Sequence, residues 1–171
     1  MGPRYRHLID DIFEKKILAE DMSLYLHRPT ATDPSLAPDD CDSFYVLSPV
    51  PNQDSKIDWK VMAEAYRQRV AKRLDETMMP GFEQHIITQR LMTPLDFEHD
   101  LLSYKGAAFG LEPVLTQSAW FRPHNNSEEV ENLFLVGAGT HPGAGVPGVL
   151  STARVLDLVV PPAESFAHAR R

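Results

Sequence analysis

The residues best suited to chemistry lie close to the end of the chain. The twelve residues Gly137-Ala138-Gly139-Thr140-His141-Pro142-Gly143-Ala144-Gly145-Val146-Pro147-Gly148 hold five of the nine glycines. Glycine relieves the steric limits of tight turns, while Pro142 and Pro147 stiffen the path and withhold N–H donors. The product is a rigid backbone with few side chains, suited to close approach by a flat ligand. His141 is the one titratable side chain in this stretch; imidazole serves as acid or base near neutral pH, and here a structural or cofactor-orienting role is favoured over catalysis. No catalytic acid or base stands out. The remaining histidines, His7, His27, His85, His99, His124 and His168, show no metal-ligand spacing, so no metal site is expected. Asp96, Glu98 and Asp100 read as a solvated helix face. The single cysteine, Cys41, reads as an idle thiol: it permits no internal disulfide and no cysteine zinc cage, which points to a reducing compartment.

Two phosphate-binding motifs fail on context. Gly143 to Gly148 matches G-x-G-x-x-G, but only 23 residues follow Gly148, too few for the helix, second strand and acidic ribose ligand of a dinucleotide-binding unit. A P-loop needs a lysine after its glycines, and the last lysine is Lys105.

The elements that must hold this turn follow from periodicity. Leu133-Phe134-Leu135-Val136 is a continuous apolar run, predicting a strand buried on both faces, and Val149 to Val160 predicts a helix. Strand, glycine-rich turn and helix together bring backbone N–H groups and a helix N-terminus against an electron-rich ligand. Upstream, Pro3 to Leu18 predicts a helix with Leu8, Ile9, Ile12, Phe13 and Ile17 on one stripe. Ser23–His27 and Ser43–Ser48 predict strands. Asp58 caps a helix from Trp59 to about Met79, with Val61, Met62, Ala65, Tyr66, Val70 and Leu74 on its apolar face. After Pro80-Gly81, residues 85–92 alternate as a strand would, and Thr93-Pro94 opens a helix running through Leu101-Leu102 toward Gly106. Residues 107–122 are irregular and aromatic.

The whole is a chain of 171 residues, 43 % hydrophobic and 24 % charged, as for a globular α/β piece, and its length allows one domain. Lys+Arg 17 against Asp+Glu 24 gives a net charge of −7 with no basic cluster, which argues against a nucleic-acid partner. The opening residues lack the apolar core of a signal peptide. The uncharged run Leu133 to Ala153 spans 21 residues, but its five glycines and two prolines argue for a loop with flanking elements over a membrane span.

Leu115 to Asn125 (LTQSAWFRPHN) and Asn132 to Val149 (NLFLVGAGTHPGAGVPGV) closely resemble the C-terminal signature of bacterial phytoene desaturases, FAD-dependent enzymes of carotenoid biosynthesis. Ser23 to Pro29, Asp33 to Pro38, Phe44 to Pro51 and Met79-Pro80-Gly81 resemble the same family. The resemblance implies the last third of a two-domain, amine-oxidase-like flavoprotein without its N-terminal G-x-G-x-x-G unit. Residues 1–118 would belong to the substrate-binding domain, 119–160 would supply the final strand, turn and helix of the FAD domain, and 161–171 would form a tail. Gly137, Ala138, Gly139, Thr140, His141, Pro142, Gly143, Gly145, Val146, Pro147, Gly148 and Val149 would bind FAD, with the helix N-terminus aimed at the flavin ring. Many relatives in the wider group place an acid after the strand's glycine; Ala138 stands there in this chain, so backbone contacts would have to serve.

By the same resemblance the substrate is phytoene or a related carotene, held by apolar burial and oxidised by hydride transfer to flavin with loss of a proton. Leu24, Leu26, Phe44, Val46, Phe109 and Trp120 are candidates to line its tunnel, although an ordinary core uses the same residue types. A hydrocarbon substrate would bring the complete enzyme to the membrane surface as a peripheral protein, and with no export implied it is expected in the cytoplasm. Two alternatives stand beside this: an oxidoreductase of the same superfamily acting on another isoprenoid or retinoid, and a non-enzymatic domain reusing the fold piece.

Overall fold

A computed structural model describes residues 4–112 and 114–166. Pro3, expected in the first helical turn, and His168 lie outside these residues. The chain forms two compact units, residues 1–108 and residues 109–171.

The first unit is built on side chains. Helix α1 (Tyr5–Phe13) is followed by strands β1 (Tyr25–His27) and β2 (Tyr45–Leu47), which pair antiparallel with Leu26 opposite Val46. The period of two puts half-buried Leu26 and Val46 on one face, while Tyr25 and Tyr45 meet edge-on across the other with centroids 6.4 Å apart. Helix α2 (Trp59–Thr77) starts at Asp58, whose carboxylate accepts from the Lys60 N–H at 3.0 Å. Trp59 and Tyr66 stack edge-to-face at 6.1 Å and, with Met22, form the core against which Leu18, Leu24, Val50, Ile57, Val70 and Leu95 pack. The Tyr66 hydroxyl is satisfied by the Ser48 Oγ at 2.7 Å, and burial raises its pKa above the usual phenol range.

Helix α3 (Pro94–Leu101) begins with a reciprocal capping box. The Thr93 N–H and hydroxyl both donate to the Asp96 carboxylate at 2.6 Å, and the Asp96 N–H returns a bond to the Thr93 hydroxyl. Behind it, a Cβ at Gly106 would stand 2.0 Å from the Pro94 carbonyl oxygen, so only glycine lets the chain pass. Around the rim, Asp11 is buried and paired with Arg4 and Lys15, and Asp21 also pairs with Arg4.

Four expectations are corrected here. Helix α1 ends at Phe13 instead of Leu18, and Ile9, Phe13 and Ile17 of its expected stripe are exposed. On α2 the buried positions are Trp59, Tyr66, Ala71 and Leu74, while Val61 is 70 % exposed. The bulkier Trp59 claims the core and rotates the stripe away from Val61. Residues 85–92 do not form a strand: a short 3-10 turn covers Phe82–His85, and beyond half-buried Ile86 residues 87–92 are exposed, with no strand paired to them among the described residues. Alternation cannot make a strand without a neighbour to take its hydrogen bonds. Finally, α3 stops at Leu101, where Leu102 turns left-handed.

The second unit contains three short 3-10 turns, irregular backbone, and helix α4 (Val146–Val159). Residues 133–136 are not the doubly buried strand expected of them. A single antiparallel bridge joins Phe134 to Asn126, and Leu133 and Val136 are exposed. Like 85–92, this run lacks flanking strands within the described residues.

Candidate functional site

The glycine-rich turn closes on itself through backbone and polar side chains. Gly137, Gly143 and Gly145 hold φ values of +121°, +139° and +88°. Gly145 is the N-cap of α4, which starts at Val146, three residues ahead of the expected start, and accepts from the Val149 N–H at 2.8 Å. Nothing lies within 4 Å of a Cβ built on Gly145, Gly139 or Gly137, so their outer faces are open to a ligand. Gly148 is the reverse case: a Cβ there would stand 2.6 Å from the Gly143 carbonyl oxygen. The two glycines divide the labour, one leaving space outside the turn and the other allowing it to fold back on α4.

Buried polar groups hold this shape. Thr152 is fully buried and accepts from the Gly137 N–H at 3.0 Å while donating to the Val149 carbonyl at 2.7 Å. Thr140 donates to the Gly137 carbonyl at 2.9 Å. Asn125 donates to the Leu135 carbonyl at 3.0 Å, and the Arg122 Nη1 donates to the Ala138 carbonyl at 2.7 Å. His141 is tied twice, by its N–H to the Pro123 carbonyl at 2.9 Å and by Nδ1 to the Ala119 carbonyl at 3.0 Å. The second bond fixes the proton on Nδ1 and leaves Nε2 as an acceptor. The Trp120 ring lies edge-on to His141 at 6.2 Å.

Donors are left over. Among the described residues, the N–H groups of Ala138, Gly139, Gly143, Ala144 and Gly145 have no acceptor within the chain. Helix α4 carries no side-chain cap and no acid in its first turn, whereas α2 and α3 are capped by Asp58 and by Thr93 with Asp96. The positive end of the α4 dipole is therefore open to an external electron-rich group. Two open concavities of about 490 and 510 Å³ lie instead along residues 120–135, the first also reaching Val159 and Pro161, with Glu128 and Glu129 on both; neither includes a residue of the turn. Carboxylates on their walls disfavour an anionic ligand, and the free donors mark the turn as the better site.

Residues 22–155 match the family described as flavin containing amine oxidoreductase. The chain belongs to the flavin containing amine oxidoreductase family. It is 55 % identical over 154 residues, 90 % of this chain, to a phytoene desaturase (lycopene-forming) of Pseudescherichia vulneris. It is 53 % identical over 165 residues, 95 % of this chain, to a phytoene desaturase (neurosporene-forming) of Rhodobacter capsulatus. A 4,4'-diapophytoene desaturase of Methylomonas is 40 % identical over 88 % of the chain. The chain spans only 30 to 32 % of the length of these curated relatives.

The turn fits the flavin of this amine oxidoreductase family on its own geometry: free N–H donors, a face without Cβ atoms, and an uncapped helix N-terminus. Of the predicted site residues, Ala138, Gly139, Gly145, Val146 and Pro147 are exposed, while Thr140 and Gly143 are buried and hold the turn from within. Of the predicted tunnel residues, Leu24, Leu26, Phe44 and Val46 are half-buried in the first unit, with Phe44 edge-on to Phe82 at 6.5 Å. Phe109 and Trp120 are exposed in the second unit. Sequence reasoning assigned no role to Arg122, Asn125 or Thr152. The available signal was a polar residue in an apolar setting: arginine after Trp120-Phe121, and threonine inside the hydrophobic helix α4. No helix among the described residues is long and apolar enough to cross a membrane.

Proposed function

We propose that this chain is the C-terminal part of an FAD-dependent desaturase that introduces double bonds into phytoene or a related carotene. The observation that carries the reading is the outward-facing glycine turn, whose open Cβ positions and unpaired N–H groups adjoin an uncapped helix. The names of the relatives supply the substrate class. When bound, the flavin supplies a hydride acceptor. This chain's part is to receive and orient it: Ala138, Gly139, Gly145, Val146 and Pro147 form the contact face, Thr140, Gly143, Gly148 and Val149 set its shape, and His141 is held by its two bonds with Nε2 free to accept. Ala138 leaves no carboxylate at the point after Gly137, so the contacts there run through backbone.

The rest of the site belongs to a longer enzyme. Residues 1–118 are assigned to the substrate-binding portion and 119–160 to the flavin portion, with the exposed apolar face of the latter covered by the preceding two thirds of the full-length protein. A hydrocarbon substrate dissolves in the bilayer, so the full-length enzyme works peripherally at a membrane surface in the cytoplasm. The test is expression of the full-length enzyme in cells that accumulate phytoene. Conversion to coloured carotene, with stoichiometric FAD on the purified protein, supports the reading. A flavin-free protein, or one that leaves phytoene unchanged while oxidising another isoprenoid, overturns it.

A further inference from the structure

Arg122 follows the 3-10 turn Ala119–Phe121 and is only 6 % exposed. Its Nη1 donates to the Ala138 carbonyl at 2.7 Å. On the other limb of the turn, a Cβ at Gly143 would stand 3.4 Å from the Arg122 Nε and 3.6 Å from its Cδ. The guanidinium thus touches both limbs of the turn and stays clear of the open Cβ positions of Gly139 and Gly145. Glu128, which lines the same concavity as Arg122, pairs with His124 at 2.7 Å and not with the guanidinium. Among the described residues Arg122 has only a neutral carbonyl as partner.

A cation withdrawn from water without an anionic partner is costly, and arginine cannot escape the cost by losing its proton. A nearby anionic ligand offsets it. We infer that Arg122 is a positioning residue for bound flavin: it sets the turn through Ala138 and Gly143, and its charge favours the reduced, negatively charged flavin. This rests on the flavin reading above. Neither the shape of the glycine motif nor the helix dipole supplies a full positive charge at this place; Arg122 does.

The test uses the full-length enzyme loaded with FAD, comparing wild type with Arg122→Gln and Arg122→Lys. Flavin content is read by absorbance and reduction potential by equilibration with a reference dye. Loss of the charge in Arg122→Gln is expected to lower the ratio of reduced to oxidised flavin about tenfold at fixed potential, a shift of about 30 mV for a two-electron couple. Arg122→Lys keeps the charge but not the fork, so its ratio stays within about twofold of wild type even where its thermal stability falls. Wild-type potential in loaded Arg122→Gln overturns the inference, because a residue acting only on shape leaves the potential unmoved. Should Arg122→Gln retain no flavin, Arg122→Lys decides: a loaded enzyme at wild-type potential supports the role of charge, and an empty one overturns it. A wild-type enzyme that lacks flavin is a different failure, that of the flavin reading itself.

Discussion

The two units differ in what they bury. In residues 1–108 an apolar centre of Leu8, Ala19, Met22, Trp59, Tyr66, Ala71 and Leu74 is buried together with the polar Asp11, Thr30 and Thr93, with Asp11 held by ion pairs. In residues 109–171 the buried side chains are Arg122, Asn125, Thr140 and Thr152, while Trp120, Phe121, Val136, Val146, Leu150 and Leu158 are exposed. The helix starts vary as well: α2 is capped by Asp58 and α3 by Thr93 with Asp96, whereas α1 and α4 have no side-chain cap. The first unit has an apolar centre of its own. A unit whose polar interior shapes a turn, and whose apolar residues face outward, is arranged to be completed by something else. The chain's 31 % share of its relatives' length agrees with that.

The contrast can be broken by substitution. The largest effect is expected from Gly148→Val, since a side chain 2.6 Å from the Gly143 carbonyl oxygen prevents the turn from folding back on α4. FAD binding to the full-length enzyme, measured by titration, should weaken at least about tenfold; unchanged affinity would mean that the turn is not the receiver. Next is Leu74→Ala, which empties the best-buried position of the first unit and should cost about 2–5 kcal/mol of stability by denaturant unfolding. Flavin affinity of the folded enzyme should not change, and a parallel loss of both would erase the distinction between the units. In the second unit a polar-to-apolar change takes the place of a core truncation. Thr152→Val, which conserves volume but orphans the Gly137 N–H, should cost about 1–3 kcal/mol, and Thr152→Ser should recover most of it.

The smallest effect concerns the caps. Thr93→Ala should cost about 1 kcal/mol of thermal stability at neutral pH. The Thr93 hydroxyl and N–H hold the Asp96 carboxyl below the usual carboxylate range. A lowered folded pKa means that its stabilisation is fully present above about pH 4 and is lost as pH falls through the folded value. The gap between wild type and Thr93→Ala should therefore narrow toward pH 3 in thermal melts. A gap that persists there would assign the cap's contribution to packing.

Much of the first unit was legible because its signals are local. Asp58 ahead of Trp59, Thr93-Pro94 with Asp96 three residues on, and the alternating runs around Leu26 and Val46 each carry their own structural instruction. The glycine turn was legible for the same reason: clustered glycines mark backbone that takes positive φ, as Gly137, Gly143 and Gly145 do. The strands expected at 85–92 and 133–136 were not formed, because a strand is a relation between segments and no segment among the described residues pairs with the first or flanks the second. The supports of the turn escaped for a related cause. Arg122 and Asn125 meet Ala138 and Leu135 across loop closures that no periodicity reveals, and Thr152 looks like an ordinary helix residue until the Gly137 N–H is seen to need an acceptor.

The account's central claim is that the open face at Gly145 receives flavin, and Gly145→Val in the full-length enzyme tests it most directly. Its φ of +88° is strained for a branched residue, and its Cβ would project into the empty space outside the turn. The account predicts loss of bound FAD by absorbance together with loss of phytoene conversion in a pigment assay. Full flavin occupancy with wild-type conversion would contradict it.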